Sequence, residues 1–136
     1  MKQAGLLIML LFFCSQVVAG NKDQEINIVS AAGCITELTP VDDNCKQDDG
    51  KRGECDGKKN CVCAKPDKHI IWKSADELQY SVYFYDASSP FKSNCSLDAD
   101  RKGTLKCKIK GDASGSYDYG LKVAGCPDFD PRIIVK

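Results

Sequence analysis

The chain has little of what most often performs chemistry. It carries one histidine, His69, one tryptophan, and no excess charge: 19 Lys and Arg stand against 19 Asp and Glu. A lone histidine is far more often structural or solvent-exposed than catalytic, and no Ser or Cys nucleophile stands in a motif beside it. No catalytic residue and no cofactor are therefore assigned. Balanced charge removes the field that draws a protein to nucleic acid or to anionic lipid. Beyond residue 19 no apolar run approaches the ~20 residues needed to cross a bilayer, so no membrane span is expected. Helical periodicity of useful length is also missing, which leaves strands and loops to build the fold.

The first nineteen residues stand apart. Lys2 precedes an unbroken apolar run, Ala4 to Phe13, and Ser15 to Ala19 then gives a polar break ending in small residues. This is the pattern of a secretory signal peptide cleaved before Gly20, and it predicts a secreted protein, extracellular or periplasmic. Cleavage removes Cys14 and leaves eight cysteines: Cys34, Cys45, Cys55, Cys61, Cys63, Cys95, Cys107 and Cys126. An even number in a short exported chain reads as a disulfide framework of four bridges. Sequence alone leaves the pairing open, since eight cysteines allow roughly a hundred connectivities.

Four of these cysteines lie between Cys45 and Cys63, where everything else is polar, charged or glycine apart from Val62. No ordinary apolar core can form there, so sulfur chemistry must hold the segment. Zinc is the alternative to disulfides, but Cys61-x-Cys63 is tighter, and the nine-residue gap from Cys45 to Cys55 looser, than the usual ligand pairs. Disulfides are preferred and no metal site is assigned. Turn formers at Asp48-Asp49-Gly50 and Asp56-Gly57 punctuate the segment, and Asn60 to Cys63 reads as the returning arm of a small hairpin. Pro66 ends it.

After Lys68 the composition changes. Ile70 to Trp72 is a short apolar strand candidate, and Leu78, Tyr80, Val82 and Phe84 alternate onto one face of another. Leu105, Cys107 and Ile109 alternate with Lys106, Lys108 and Lys110, and Tyr117, Tyr119, Leu121 and Val123 repeat the pattern. Residues 132–136 close the chain as a last strand. Such alternation, spaced by Gly, Asp, Ser and Pro, predicts antiparallel strands. Between Gly20 and Ser30 only Ile26, Ile28 and Val29 are apolar, which permits a short strand or a loosely held terminus. The expected organisation is a signal peptide (1–19), a cysteine-rich module (20–66) and an antiparallel β-sandwich or open barrel (67–136), all-β throughout. Because the two mature parts hold five and three cysteines, full pairing requires at least one bridge between them.

The spacing C-x9-C-x5-C-x-C, with Gly53-Glu54-Cys55 and Cys61-Val62-Cys63, resembles the second half of an invertebrate-type defensin. The resemblance spans about a quarter of the mature chain, and Val41 stands where that family carries a further cysteine. It implies pairing of Cys34 with Cys55 and of Cys45 with Cys63, leaving Cys61 to bridge to Cys95, Cys107 or Cys126. The ending Asp128-Phe129-Asp130-Pro131-Arg132 resembles the last strand of small exported β-sandwich proteins of unassigned role.

Among functional candidates, Tyr83 and Tyr85 face away from the alternating apolar set, and phenols give contact area at low entropic cost. Lys106, Lys108 and Lys110 form a basic row that could meet an acidic partner or guard a strand edge. Asp98-x-Asp100 and Asp128-x-Asp130 invite a calcium reading but sit beside turns. Asn94-Cys95-Ser96 matches a glycosylation acceptor. The function expected is non-enzymatic binding of an extracellular or periplasmic protein or glycan through Tyr83, Tyr85 and the lysine row. A defensin-like effector acting on membranes or channels is the alternative, and a hydrolase built on His69 a third reading.

Overall fold

The computed structural model describes residues 22–41, 45, 55, 60–86 and 88–136. The expected signal peptide lies outside the described residues. Eight strands follow in order: β1 (Gln24–Ala31), β2 (Cys34–Pro40), β3 (Val62–Ala64), β4 (His69–Ser74), β5 (Ser81–Phe84), β6 (Thr104–Lys108), β7 (Gly115–Lys122) and β8 (Arg132–Val135). They form two four-stranded sheets, ordered β2-β1-β4-β6 and β3-β8-β7-β5. The protein is a disulfide-rich, all-β sandwich, with no helix among the described residues.

The core follows from the period-two alternation of the strands. Ile26, Ile28, Ile70, Trp72, Leu105 and Cys107 point inward from the first sheet, and Val82, Tyr119, Leu121 and Ile133 from the second. Trp72 is fully buried and donates its indole N–H to the Tyr119 hydroxyl across the sandwich at 3.1 Å. Its ring meets Phe91 and Tyr119 edge-on, with centroids 5.7 and 5.8 Å apart. Such edge-to-face contacts add to plain area burial. Burial itself pushes the Tyr119 hydroxyl well above the ordinary tyrosine range, so it stays protonated.

Of the two readings left open for the stretch after Gly20, a short strand or a loosely held terminus, the strand holds: β1 is an inner strand of the first sheet, and its Ile26 and Ile28 are buried. It turns into β2 at Ala32 and Gly33, both with positive φ (52° and 78°), as a two-residue hairpin whose twist matches its strands requires. Consequently the division expected at Pro66 falls inside both sheets. β2 pairs with β1 and β1 with β4, and β3 pairs with β8. Among the strands of residues 67–136 the pairings are antiparallel, as expected. β1 with β4 and β3 with β8 are parallel, so both sheets are mixed rather than purely antiparallel. Parallel neighbours need a crossover between them, and the cysteine-rich segment falls within the one from β1 to β4.

One flank of the sandwich is closed by the segment from Ser88 to Ala99. Lys110 N–H donates to the Pro90 carbonyl and Lys92 N–H to that of Lys108, covering the edge of β6. Val82 N–H donates to Leu97 and Ala99 N–H to Tyr80, covering the edge of β5. The Cys95–Cys107 bridge fastens this strap to β6. Covered edges cannot template pairing with another chain.

The remaining bridges are Cys34–Cys126, Cys45–Cys63 and Cys55–Cys61. The pairing implied by the defensin resemblance holds for Cys45–Cys63 alone. Cys61 turns back on Cys55, and the link required between the two parts is Cys34–Cys126. That bridge joins β2 to the loop after β7, across a sequence separation of 92. Closing so long a loop restricts the unfolded chain by about 4–5 kcal/mol.

Candidate binding face

On β5 the odd positions point away from the core, so Ser81, Tyr83 and the following Tyr85 share the outer face of the second sheet. Tyr83 pairs with Gly120 of β7. Gly120 has no side chain, and the Tyr83 ring occupies that space: a Cβ at position 120 would overlap Cζ, Cε1 and Oη of the ring. A glycine inside a strand is the expected mark of such a close approach. The Tyr83 hydroxyl donates to Asp128 Oδ2 at 2.6 Å. Accepting that bond, the Asp128 carboxylate holds the phenol well above the ordinary tyrosine range, with a hydrogen bond to Tyr85 and partial burial acting in the same direction. The Tyr85 ring stands edge-on to Tyr83, centroids 5.4 Å apart, and is 51% exposed.

Charge and hydroxyls frame these rings. Arg132 of β8 grips Asp118 of β7 through Nε at 2.7 Å and a terminal nitrogen at 3.1 Å, the two-point geometry that fixes a guanidinium against a carboxylate. Ser81 donates to Asp98 Oδ1 at 2.6 Å. Beside them lies an open recess of about 370 Å³, lined by residues that include Gln79, Ser81, Asp98 and Lys122. Since Ser81 pairs with Lys122 and Tyr83 with Gly120, recess and rings are consecutive along the same two strands. The face therefore combines a pinned aromatic ring, an exposed one, and hydrogen-bonding groups of both kinds.

The lysine row lies elsewhere. Lys106 and Lys108 belong to β6, in the first sheet. Lys106 Nζ is 3.8 Å from Asp23 Oδ2, and Lys110 Nζ donates to the Ser89 carbonyl at 2.9 Å. Phenols and lysines thus occupy different sheets, and two of the three cations are engaged with their own fold. His69 is engaged as well. Its backbone N–H donates to Asp23 Oδ1 at 2.8 Å and its ring Nδ1 lies 3.1 Å from the same oxygen. The Asp98-x-Asp100 pair reads as turn chemistry. Asp98 takes the Ser81 hydroxyl, and Asp100 Oδ1 accepts the N–H groups of Lys102 and Thr104 at 2.8 and 2.9 Å. Asn94 is exposed in the strap.

Sequence reasoning named the two tyrosines as candidates but not Gly120, Asp118 or Arg132, and it weighed Asp128 as a calcium ligand or a turn carboxylate. The isolated glycine in Tyr117-Asp118-Tyr119-Gly120-Leu121 was the available signal.

No family model matches the chain, and no curated protein matches it. Among solved structures, a reduced Cu(I) form of an amicyanin variant is similar at 11% identity and a TM-score of 0.47, covering 88% of this chain and 87% of that one. Amicyanin from Paracoccus versutus is similar at 12% identity and a TM-score of 0.44, covering 88% and 86%. Likeness at this level carries no argument about the chemistry of this chain.

Proposed function

We propose that this protein is a secreted, non-enzymatic binding module whose target, a protein or a glycan, docks on the outer face of β5 and β7. The observation that carries the reading is the Tyr83 ring, laid over Gly120 and fixed by Asp128 beside the half-exposed Tyr85. A ring immobilised before binding loses little entropy on contact, and a phenol beside hydroxyls and carboxylates suits a polar, ring-bearing partner. Copper chemistry forms no part of the proposal. A site of the two-histidine, one-thiolate kind is not available to a chain with one histidine and its eight described cysteines in bridges.

Calorimetric titration of the oxidised protein with soluble oligosaccharides and candidate extracellular proteins tests the reading. Binding should be lost in Tyr85→Ala and Tyr83→Ala, while far-ultraviolet dichroism and the urea midpoint stay close to those of the parent. A ligand whose affinity is unchanged by both substitutions would place the site elsewhere and sink the proposal.

A further inference from the structure

The segment from Cys45 to Cys63 poses a choice between disulfides and a metal. The structure gathers its four cysteines into one buried cluster of two bridges. Cys61 and Cys63 are two residues apart along an extended chain, so both sulfurs leave on the same side, the outer face at β3 and β8. Asn60, a turn residue immediately before them, has a φ of 65°. The Sγ atoms of Cys45, Cys55 and Cys61 all lie within 4.8 Å of one another, and Cys63 is bonded to Cys45. All four are buried, at 2–6% exposure, and together with Ile134 they form a cluster separate from the main core.

We propose that on reduction these four cysteines form a tetrathiolate site for zinc(II). A zinc–sulfur bond of about 2.3 Å places tetrahedral sulfurs about 3.8 Å apart. Bonded pairs need only open to that spacing, the unbonded sulfurs among Cys45, Cys55 and Cys61 need only close to it, and Cys63 moves in from its place beside Cys45. Each disulfide takes up two electrons and two protons, giving four thiols in all. A phosphine supplies the electrons and becomes its oxide while water supplies the oxygen and the protons, and a dithiol supplies both and closes to its own disulfide. Zinc then displaces four protons and binds four thiolates, so occupancy rises with pH. Thiolate donors favour zinc over calcium or magnesium. The cap over Ile134 would then be held by sulfur bonds when oxidised and by zinc–sulfur bonds when reduced. This inference does not depend on the binding face.

The test uses the full mature chain, reduced with a phosphine under native conditions, freed of reductant and titrated with cobalt(II) alone as a spectroscopic stand-in for zinc. The expected result is one equivalent of cobalt with the visible absorption of a tetrahedral thiolate complex, displaced by zinc(II). That absorption should be lost in Cys55→Ala/Cys61→Ala and kept in Cys95→Ala/Cys107→Ala. Should the first variant fail to fold, alkylation mapping of the parent decides the matter. Zinc should shield Cys45, Cys55, Cys61 and Cys63 while any other reduced cysteine reacts. No tetrahedral signal, a signal surviving in Cys55→Ala/Cys61→Ala, or shielding spread over other cysteines overturns the proposal.

Discussion

Trp72 and Ile134 are both sealed from solvent, at 0% and 1% exposure, but by different means. Trp72 lies between two sheets, touched by rings from both layers and bonded to Tyr119. Ile134 lies on the opposite side of the second sheet, covered by four cysteines. The main core is held by dispersion and apolar area, which close packing makes sensitive to lost volume. The cap has almost no apolar residues of its own and relies on cross-links that act mainly through the unfolded chain. One region should therefore fail when volume is removed, the other when a covalent bond is.

The largest expected effect is in the sandwich. Trp72→Ala removes the residue that joins the layers and should cost about 3–5 kcal/mol, read as a lowered urea midpoint by far-ultraviolet dichroism. The cap should respond less. Cys55→Ala/Cys61→Ala opens a loop of sequence separation six, for which chain entropy gives about 2 kcal/mol. Amide exchange should rise at Val62 to Ala64 and stay slow in β4 and β6. If the loss reaches that of Trp72→Ala, or exchange rises equally in both sheets, cap and sandwich unfold as one unit and the contrast fails.

The same contrast explains what the sequence made legible. Where burial decides structure, alternation reports it: Leu105, Cys107 and Ile109 point inward as expected, as do Tyr80, Val82 and Tyr119. β1 was harder to read because its apolar positions, Ile26 and Ile28, are few and flanked by polar residues, and β2 offers only Leu38 as a fully buried side chain. Parallel pairing leaves no turn signature, so β1 beside β4 could not be seen locally. The bridges were hidden for a related reason. Cys34–Cys126 is set by where two distant strands meet, not by spacing. On the outer face of β5 and β7, Tyr83 was visible through alternation, while Asp128 and Arg132 join that face only through tertiary approach.

A smaller effect is expected at Gly120, where stability and function should separate. Gly120→Ala places a methyl group where the Tyr83 ring lies. The ring is the end of a flexible side chain and can swing outward, so overpacking should cost only about 1 kcal/mol. Swinging breaks the bond to Asp128 and releases the ring, so ligand affinity should fall as in Tyr83→Ala. Retained affinity in Gly120→Ala would show that the pinned geometry is not what the target reads.

The smallest effect lies on the first sheet, and pH distinguishes it. Partial burial pushes the Asp23 carboxyl upward, but the His69 backbone N–H, the His69 ring and Lys106 outweigh it and hold Asp23 below its ordinary value of 3.8. A carboxylate favoured in the folded state contributes its stability above that value and loses it as pH falls through the lower folded one. Asp23→Asn should therefore lower the urea midpoint slightly at neutral pH, and the gap from the parent should close in acid. The effect is modest because the side chain is 37% exposed and solvent screens it. Tyr83 behaves in the opposite sense. Its phenol is held above the ordinary value of 10, so Tyr83→Phe should show its full deficit at neutral pH, fading only as pH rises past 10. A Tyr83→Phe gap unchanged as pH rises past 10 would show that the phenol proton given to Asp128 is not what that deficit measures.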